Sequence, residues 1–204
     1  KTRFFVDKET IEDMAILAVK DAIERSDLAA ADIEMIIVAT TSSSHCMPGI
    51  SYLIQKAFNI SNAICFDIYA GCSSYINAMD IARNYIAIGK VQNALIVGVD
   101  LVSNISKDLG TKIILADGAG ATLLRATDEY KVYHSYIESE GQKGEILEYQ
   151  AGSQIVMQGK EVYRYAVTKT VENVRQLLHK TGFNIEDIAY YILHQSNQKI
   201  MDAI

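Results

Sequence analysis

Hydrophobic positions in the first half of the chain alternate between a helical period and unbroken apolar runs. Between residues 10 and 25, apolar side chains recur at the i, i+3, i+4 and i+7 spacing of an amphipathic helix, and Thr10 with Asp13 resembles a capping box. The run 35–39 is continuously apolar, which is typical of a parallel strand covered on both faces. The elements predicted next are a short helix over 49–58, a strand over 63–68, a helix over 73–88 and a strand over 94–99. Alternation of this kind predicts an α/β fold with a mainly parallel sheet.

The last third of the chain repeats the opening pattern. A predicted helix over 160–179 is followed by a polar break and an apolar run over 188–193, predicted to be a strand. This segment superimposes on the start of the chain with a constant shift of 155 residues. We interpret the match as an internal duplication, with a first half over 1–129 and the beginning of a second half over 130–204.

The duplication also predicts what the chain does not contain. The second half should open with a strand over 131–137, so the equivalent strand of the first half would lie about 24 residues before Lys1. At the other end, the residues leading to Ile204 read as the opening of a helix. We therefore expect a piece of a longer protein that lacks the first strand and the C-terminal part of the second half.

Composition and charge exclude several classes of function. The chain has 204 residues and a formal net charge of -6, and no basic tract interrupts this balance, so nucleic acid is not an expected partner. No run approaches the roughly 18 apolar residues that a membrane-spanning helix needs. The three cysteines, Cys46, Cys65 and Cys72, show no C-x-x-C spacing and follow no signal peptide. These features favour a reducing, cytoplasmic setting.

Cys72 is the strongest candidate for a catalytic residue. It follows the predicted strand over 63–68 and stands at the start of the predicted helix over 73–88. Unpaired N–H groups and the positive end of the helix dipole stabilise a thiolate at such a place, and the thiolate is the nucleophile. The alternative is a small buried cysteine at a tight turn, a role we expect for Cys65. Position alone leaves both interpretations of Cys72 open.

His194 directly follows the apolar run over 188–193 and is the second candidate. In open α/β sheets, functional groups gather beyond the carboxyl ends of strands, and Cys72 also follows such an end. We therefore expect both side chains to reach one crevice, where a histidine can transfer protons or stabilise negative charge. The alternative is a histidine that caps the following helix.

Two other motifs are weaker. Residues 117–121 contain G-x-G, but they lack the third glycine and the strand-to-helix context of a dinucleotide site. Close backbone packing or a sharp turn is the better interpretation. His45 and Cys46 could suggest a metal together with Cys65, but no metal-ligand spacing supports it.

Several ordered segments, Cys72 and His194 among them, resemble the β-ketoacyl-acyl carrier protein synthase III family of the thiolase-like superfamily. The resemblance runs in register over essentially the whole chain. The segments are residues 37–45, 66–72, 97–100, 117–121, 157–163 and 194–197. The resemblance implies a thiolase-like αβαβα layered fold with two similar halves and mainly parallel sheets, the second half being incomplete.

The resemblance also implies a Cys-His-Asn catalytic set. Cys72 matches the cysteine and His194 the histidine, whereas the asparagine would fall after Ile204. The substrate-binding positions implied in the same way are Asn197, Met47, Leu115 and Gly159. Met47 stands where the family reaches across a homodimer towards the partner's acyl pocket.

Three further positions depart from the family's pattern. Ser74 stands where glycine is usual, and Lys199 where arginine is typical. Leu109 stands where an arginine commonly contacts coenzyme A, which makes a primer carried by coenzyme A less expected.

The activity implied is that of an acyltransferase that joins an acyl group to malonyl-acyl carrier protein by decarboxylative Claisen condensation. The reaction would pass through an acyl-cysteine in fatty acid or related biosynthesis, with acyl-CoA or acyl-acyl carrier protein as donor. It needs no metal or redox cofactor, and the protein would be a homodimer. Two rivals stay open: a thiolase-like acyltransferase that forms an ester or amide, and a catalytically silent partner subunit.

Overall fold

The computed structural model describes residues 5–43, 47–106, 109–129, 132–150 and 152–204. The chain divides into two compact units. One is formed by Lys1–Asn104 with Ala116–Tyr130, and the other by Ile105–Leu115 with Lys131–Ile204. Each unit has its own sheet, four-stranded in the first unit and two-stranded in the second.

A four-stranded sheet forms the centre of the first unit. Its strands are β1 (Met35–Ala39), β2 (Ile64–Ile68), β3 (Asn93–Asp100) and β4 (Gly118–Arg125). β1 pairs in parallel with both β2 and β3, while β4 pairs antiparallel with β3, which gives the order β2-β1-β3-β4. The predicted α/β fold with a mainly parallel sheet is confirmed, and β4 makes the sheet mixed.

Helices cover both faces of this sheet. They are α1 (Ile11–Glu24), α2 (Ile50–Ala57) and α3 (Ser74–Ala87). Alternate residues of β1 face opposite sides: Ile36 and Val38 share a core with α1 and α2, whereas Met35 and Ile37 pack with α3. All five residues of β1 are buried, as the continuous apolar run predicts. Burying one such aliphatic side chain stabilises the fold by about 1.5–3 kcal/mol, so β1 is central to both cores.

The glycine motif over 117–121 belongs largely to β4, and the predicted close packing or sharp turn is wrong. Gly118 and Gly120 lie opposite Asp100 and Gly98 in antiparallel register. A Cβ atom added to either Gly118 or Gly120 would meet no described atom within 4 Å. A strand that begins with such small residues carries little hydrophobic signal, and its hydrogen bonds to β3 are what identify it.

A long helix dominates the second unit. The elements are α4 (Leu109–Ile114), β5 (Leu147–Glu148), β6 (Val156–Met157), α5 (Gly159–Thr181) and α6 (Gln198–Met201), with β5 and β6 paired antiparallel. α5 confirms the predicted helix over 160–179. It ends at Gly182, whose φ of 74° is left-handed and suits glycine. Among the described residues of the whole chain, no helix combines the length and apolar character needed to cross a membrane.

The two strands predicted in the second unit are wrong. Neither 132–137 nor 188–193 forms a strand ladder within the part of the chain that the structure describes. An apolar run supplies suitable side chains, but a strand also needs hydrogen bonds to a neighbouring strand. Tyr190 is 86% and Ile192 92% exposed, so the second run is not buried either.

The predicted repeat has a structural counterpart in two short turns. Single-turn 3₁₀ helices occupy Ala30–Asp32 and Ile185–Asp187, at the same shift of 155 residues. Each follows a longer helix, α1 or α5, and each ends in extended backbone, at Ile33 and Ile188. The sequence match therefore corresponds to a repeated helix–turn–extended unit.

Candidate active site

Cys72 lies in the tight turn that joins β2 to α3. The turn is a 3₁₀ stretch over Gly71–Ser73, and α3 begins directly after it. Gly71 has a φ of 57°, in the left-handed region where an L side chain is strained. Cys72 therefore stands directly before Ser73, the N-cap of the helix, and the residue is exposed.

Two serine hydroxyls hold this turn together. The hydroxyl of Ser74 donates to the carbonyl oxygen of Gly71 and accepts from the N–H of Ala70, both at 2.7 Å. The hydroxyl of Ser73 donates to the carbonyl oxygen of Ala70, also at 2.7 Å. Ser74 is buried, so its hydroxyl serves the backbone that precedes Cys72.

Tyr75 anchors the start of α3 to the sheet. A Cβ atom added to Gly98 of β3 would lie 3.1 Å from the Tyr75 ring, so glycine permits this close approach. The Tyr75 hydroxyl also hydrogen-bonds to the hydroxyl of Thr122 on β4. The turn that carries Cys72 is thus tied to two strands of the sheet.

The surroundings of Cys72 disfavour its thiolate. Although the side chain reaches solvent, burial of its inner side raises the pKa of the thiol, and the negative charge of Asp100 raises it further. A hydrogen bond from the backbone N–H of Cys72 offsets part of this rise. The stabilisation of the thiolate expected from the helix N-terminus is thus outweighed by burial and by the charge of Asp100, and the net shift of the pKa is upward. At neutral pH the thiol is mostly protonated, and attack by the sulfur requires a proton acceptor.

Asp100, which sequence reasoning missed, organises the same edge of the sheet. Because β1, β2 and β3 are parallel, their carboxyl ends meet at one edge. There the Oδ1 atom of Asp100 accepts hydrogen bonds of 2.7–3.2 Å from the backbone N–H groups of Thr41 and Ser42 and from three hydroxyls. The hydroxyls belong to Thr40, Thr41 and Ser42. The only signal in the sequence is an acidic residue that closes an apolar strand.

Asp67 of β2 fixes the start of α2 in a similar way. Its carboxylate accepts hydrogen bonds from the N–H groups of Ile50 and Ser51 at 2.7 and 2.9 Å. A negative group is favourable at a helix N-terminus, where N–H groups have no partner within the helix. Met47, predicted to bind substrate, lies just before this helix and is 89% exposed.

In the second unit, the predicted histidine and polar residue lie in one short segment. Asn197 is the N-cap of α6, where its side-chain oxygen accepts from the N–H of Lys199 at 2.9 Å. His194 lies three residues earlier on the exposed surface, yet partial burial of the imidazole lowers its pKa below the ordinary 6.5. The ring is therefore neutral at pH 7, and it can accept a proton or donate one hydrogen bond.

The other two predicted substrate residues border helices of the second unit. Gly159 is the first residue of α5, and Leu115 follows α4, where its N–H donates to the carbonyl oxygen of Thr111 at 3.1 Å. Cys72 and Met47 thus belong to the first unit, and the four remaining predicted residues to the second. A crevice shared by Cys72 and His194 stays a prediction.

Cys65 is buried as expected, but it lies within a strand and not at a tight turn. It is buried on β2, and burial, followed by the charge of Asp67, raises the pKa of its thiol to about 11. His45 and Cys46 lie outside the described residues. Within the described ranges, no group of three or more histidine, cysteine, aspartate or glutamate side chains is arranged to hold a metal ion.

Comparison with known proteins points to one family. Residues 66–141 match the family model of 3-oxoacyl-[acyl-carrier-protein (ACP)] synthase III. The chain is 32% identical to β-ketoacyl-[acyl-carrier-protein] synthase III of Clostridium novyi over 96% of its own length and 65% of that protein's. It is 34% identical to the protein of the same name from Clostridium acetobutylicum, over 95% of its own length and 65% of the relative's. The chain thus spans about 65% of the length of these curated relatives.

Solved structures give the same answer for the fold. The 3-oxoacyl-[acyl-carrier-protein] synthase III of Aquifex aeolicus superimposes with a TM-score of 0.94 at 31% identity, over 98% of this chain and 66% of that one. The corresponding synthase of Thermus thermophilus gives a TM-score of 0.91 at 27% identity, over 98% of this chain and 67% of that one. The predicted thiolase-like fold is therefore confirmed, and so is the resemblance of the chain to the β-ketoacyl-acyl carrier protein synthase III family.

Proposed function

We propose that this chain carries the acyl-transfer machinery of a β-ketoacyl-acyl carrier protein synthase III, with Cys72 as the nucleophile and His194 as the residue that assists condensation. The observation that carries the proposal is the thiol of Cys72. It is exposed at a strand-to-helix turn, within the residues 66–141 that match the family.

In the first half-reaction, the sulfur of Cys72 attacks the carbonyl carbon of an acyl thioester. A bond forms between this sulfur and the carbonyl carbon, the bond from that carbon to the donor's sulfur breaks, and the thiol proton leaves with the donor as a free thiol. Because the pKa of Cys72 is raised, the thiol proton has to be transferred as the attack proceeds, and in this proposal it ends on the departing sulfur. The backbone N–H of Cys72 stabilises the tetrahedral oxyanion.

In the second half-reaction, malonyl-acyl carrier protein loses carbon dioxide and leaves an enolate. The enolate carbon attacks the acyl-cysteine, a carbon–carbon bond forms, the carbon–sulfur bond breaks, and the thiolate of Cys72 that leaves takes up one proton from the solvent. His194, whose lowered pKa keeps it neutral, donates a hydrogen bond to the enolate oxygen. An asparagine beyond Ile204 is the second donor in this proposal.

The substrates and assembly form the finer part of the proposal. The acyl donor is acyl-CoA or an acyl-acyl carrier protein, the protein partner is acyl carrier protein, and the enzyme works as a homodimer in the cytoplasm. Residues 1–129 form the first thiolase-like half, and residues 130–204 form the beginning of the second. The side chain of Met47, 89% exposed, suits a residue that meets a partner subunit. The residues that line the substrate path are Met47, Asn197, Leu115 and Gly159.

The two rival functions draw little support from the structure. Ser74 in place of the usual glycine leaves transfer to a different acceptor open, but its hydroxyl is bonded to Ala70 and Gly71 and so has a structural use. A catalytically silent subunit should have an inaccessible Cys72, whereas this thiol is exposed.

Mass spectrometry of the intact protein tests the proposal. Incubation with an acyl thioester should add one acyl group, and Cys72→Ala should abolish the addition. Cys65→Ala is the matched control and should still be acylated, because Cys65 is buried away from solvent. His194→Ala should accept the acyl group but fail to condense it with malonyl-acyl carrier protein. An acylated Cys72→Ala protein, or a His194→Ala protein that condenses at the wild-type rate, would contradict these roles.

A further inference from the structure

Ser74 controls the orientation of the peptide unit that precedes Cys72. Its hydroxyl donates to the carbonyl oxygen of Gly71 at 2.7 Å, strengthening the hold of the Ser74 backbone N–H on the same oxygen, and accepts in turn from the N–H of Ala70 at 2.7 Å. Ser74 is only 3% exposed, so water does not compete for these bonds. The peptide bond between Gly71 and Cys72 is trans, and in a planar trans peptide the C=O and N–H groups point in opposite directions. A fixed Gly71 carbonyl therefore fixes the direction of the Cys72 N–H.

We propose that Ser74 is a positioning residue that aims the backbone N–H of Cys72 at the oxyanion formed when Cys72 attacks a thioester. This inference rests on the proposed function. This N–H and the attacking sulfur belong to the same residue, in the turn that leads into α3, so the donor lies beside the nucleophile. A donor held in this direction before the reaction stabilises the developing charge without reorganising.

Ser73 provides a matched comparison within the same turn. Its hydroxyl donates to the carbonyl oxygen of Ala70 and accepts from the side-chain amide of Asn77. It therefore braces the turn without bonding to the carbonyl of Gly71. A residue that merely stabilises the turn should behave like Ser73, and a residue that aims the N–H of Cys72 should not.

Two reactions of the same thiol separate these roles. Acylation by a thioester develops an oxyanion, whereas alkylation by iodoacetamide does not. In the intact protein, Ser74→Ala should slow acylation about 10-fold at saturating thioester, less than the roughly 100-fold or more that follows complete loss of such a donor. KM and the rate of alkylation, followed on the Cys72 peptide by mass spectrometry, should stay within about twofold. Ser73→Ala should change the rates of acylation and alkylation by less than about threefold. Ser74→Thr, which keeps the hydroxyl, should be acylated within about threefold of the wild-type rate.

The acylation and alkylation rates of the Ser74 variants decide whether the inference stands. Acylation of Ser74→Ala at the wild-type rate would overturn it, and so would a parallel fall in acylation and alkylation. If Ser74→Ala does not unfold cooperatively, Ser74→Thr decides: acylation near the wild-type rate supports the role of the hydroxyl, and slow acylation with normal alkylation overturns it. A wild-type protein that is alkylated at Cys72 but never acylated would refute the proposed function instead.

Discussion

Gly49 and Asp67 should be energetically coupled, so that one substitution removes the cost of the other. The Asp67 carboxylate that caps α2 also fills the space beside Gly49, where an added Cβ atom would lie 2.7–2.9 Å from three carboxylate atoms. The backbone of Gly49 has φ of -67° and ψ of 165°, which alanine adopts equally well. Contact with Asp67 is therefore what makes glycine necessary at this position.

The expected free energies follow from these contacts. Gly49→Ala should lower the free energy of unfolding by about 2 kcal/mol, the middle of the range for overpacking. Asp67→Ala should also lower the free energy of unfolding by about 2 kcal/mol, because the two N–H groups at the start of α2 lose the charged acceptor that caps the helix. Independent effects would sum to about 4 kcal/mol in the double variant. We instead expect about 2 kcal/mol, since removing the carboxylate makes room for alanine, and the coupling energy is then about 2 kcal/mol.

Urea unfolding of the intact protein, followed by circular dichroism, measures all four free energies of this cycle. Gly118→Ala combined with Asp67→Ala is the matched control, because an added Cβ at Gly118 would meet nothing within 4 Å, and this pair should be additive. The dependence of free energy on urea concentration should not change between variants. Additivity of Gly49→Ala and Asp67→Ala within about 0.5 kcal/mol would refute the proposed contact.

Three further predictions concern the site and its support. Asp100→Asn should move the pH profile of Cys72 alkylation to lower pH, because removing the negative charge lowers the pKa of the thiol. Asp117→Asn is the control and should leave the profile unchanged. An unchanged profile in Asp100→Asn would refute the electrostatic effect. Condensation should persist as the pH falls from 7 through 6.5, because the lowered pKa of His194 keeps the imidazole neutral, and a loss of rate with a midpoint above 6.5 would contradict this role. Gly98→Ala should lower the free energy of unfolding, measured in urea, by about 1–3 kcal/mol, because the added Cβ would press on the ring of Tyr75. An unchanged free energy of unfolding would exclude that contact.

The parts of the fold that could be predicted are those that short stretches of sequence determine. The N–H of Asp13 donates to the Thr10 hydroxyl and its carboxylate accepts from the Thr10 N–H, so the predicted capping box of α1 is present and depends on residues three apart. β1 is buried on both faces because its own five residues are apolar. Cys72 and His194 were singled out because each follows an apolar run. The polar contacts that fix the Cys72 turn could not be predicted, since nothing in the sequence indicates which backbone groups the hydroxyl of Ser74 reaches.

The parts that could not be predicted depend on partners far away in sequence. β4 was missed because it starts with glycine and alanine, and its identity as a strand comes from hydrogen bonds to β3. Over 188–193 a strand was predicted that the structure does not contain, because the apolar run has no partner strand in the described part of the chain. Asp67 and Asp100 were missed because their partners lie 16–17 and 58–60 residues away.

Asp67, Asp100 and Asp117 show how loops and the start of a helix are held in place in the first unit. Each carboxylate accepts hydrogen bonds from backbone N–H groups that no helix or strand satisfies; Asp117, for example, binds the N–H groups of Val6 and Ser103 at 3.0 and 2.9 Å. Such groups need partners when they are removed from water, and a charged acceptor satisfies several of them strongly. The arrangement has an electrostatic consequence at Asp100, because the charge that orders Thr40–Ser42 also raises the pKa of Cys72. The charge of Asp100 therefore orders this edge of the sheet and at the same time disfavours the thiolate of Cys72. A reaction at Cys72 must take its proton acceptor from the substrate or from another residue.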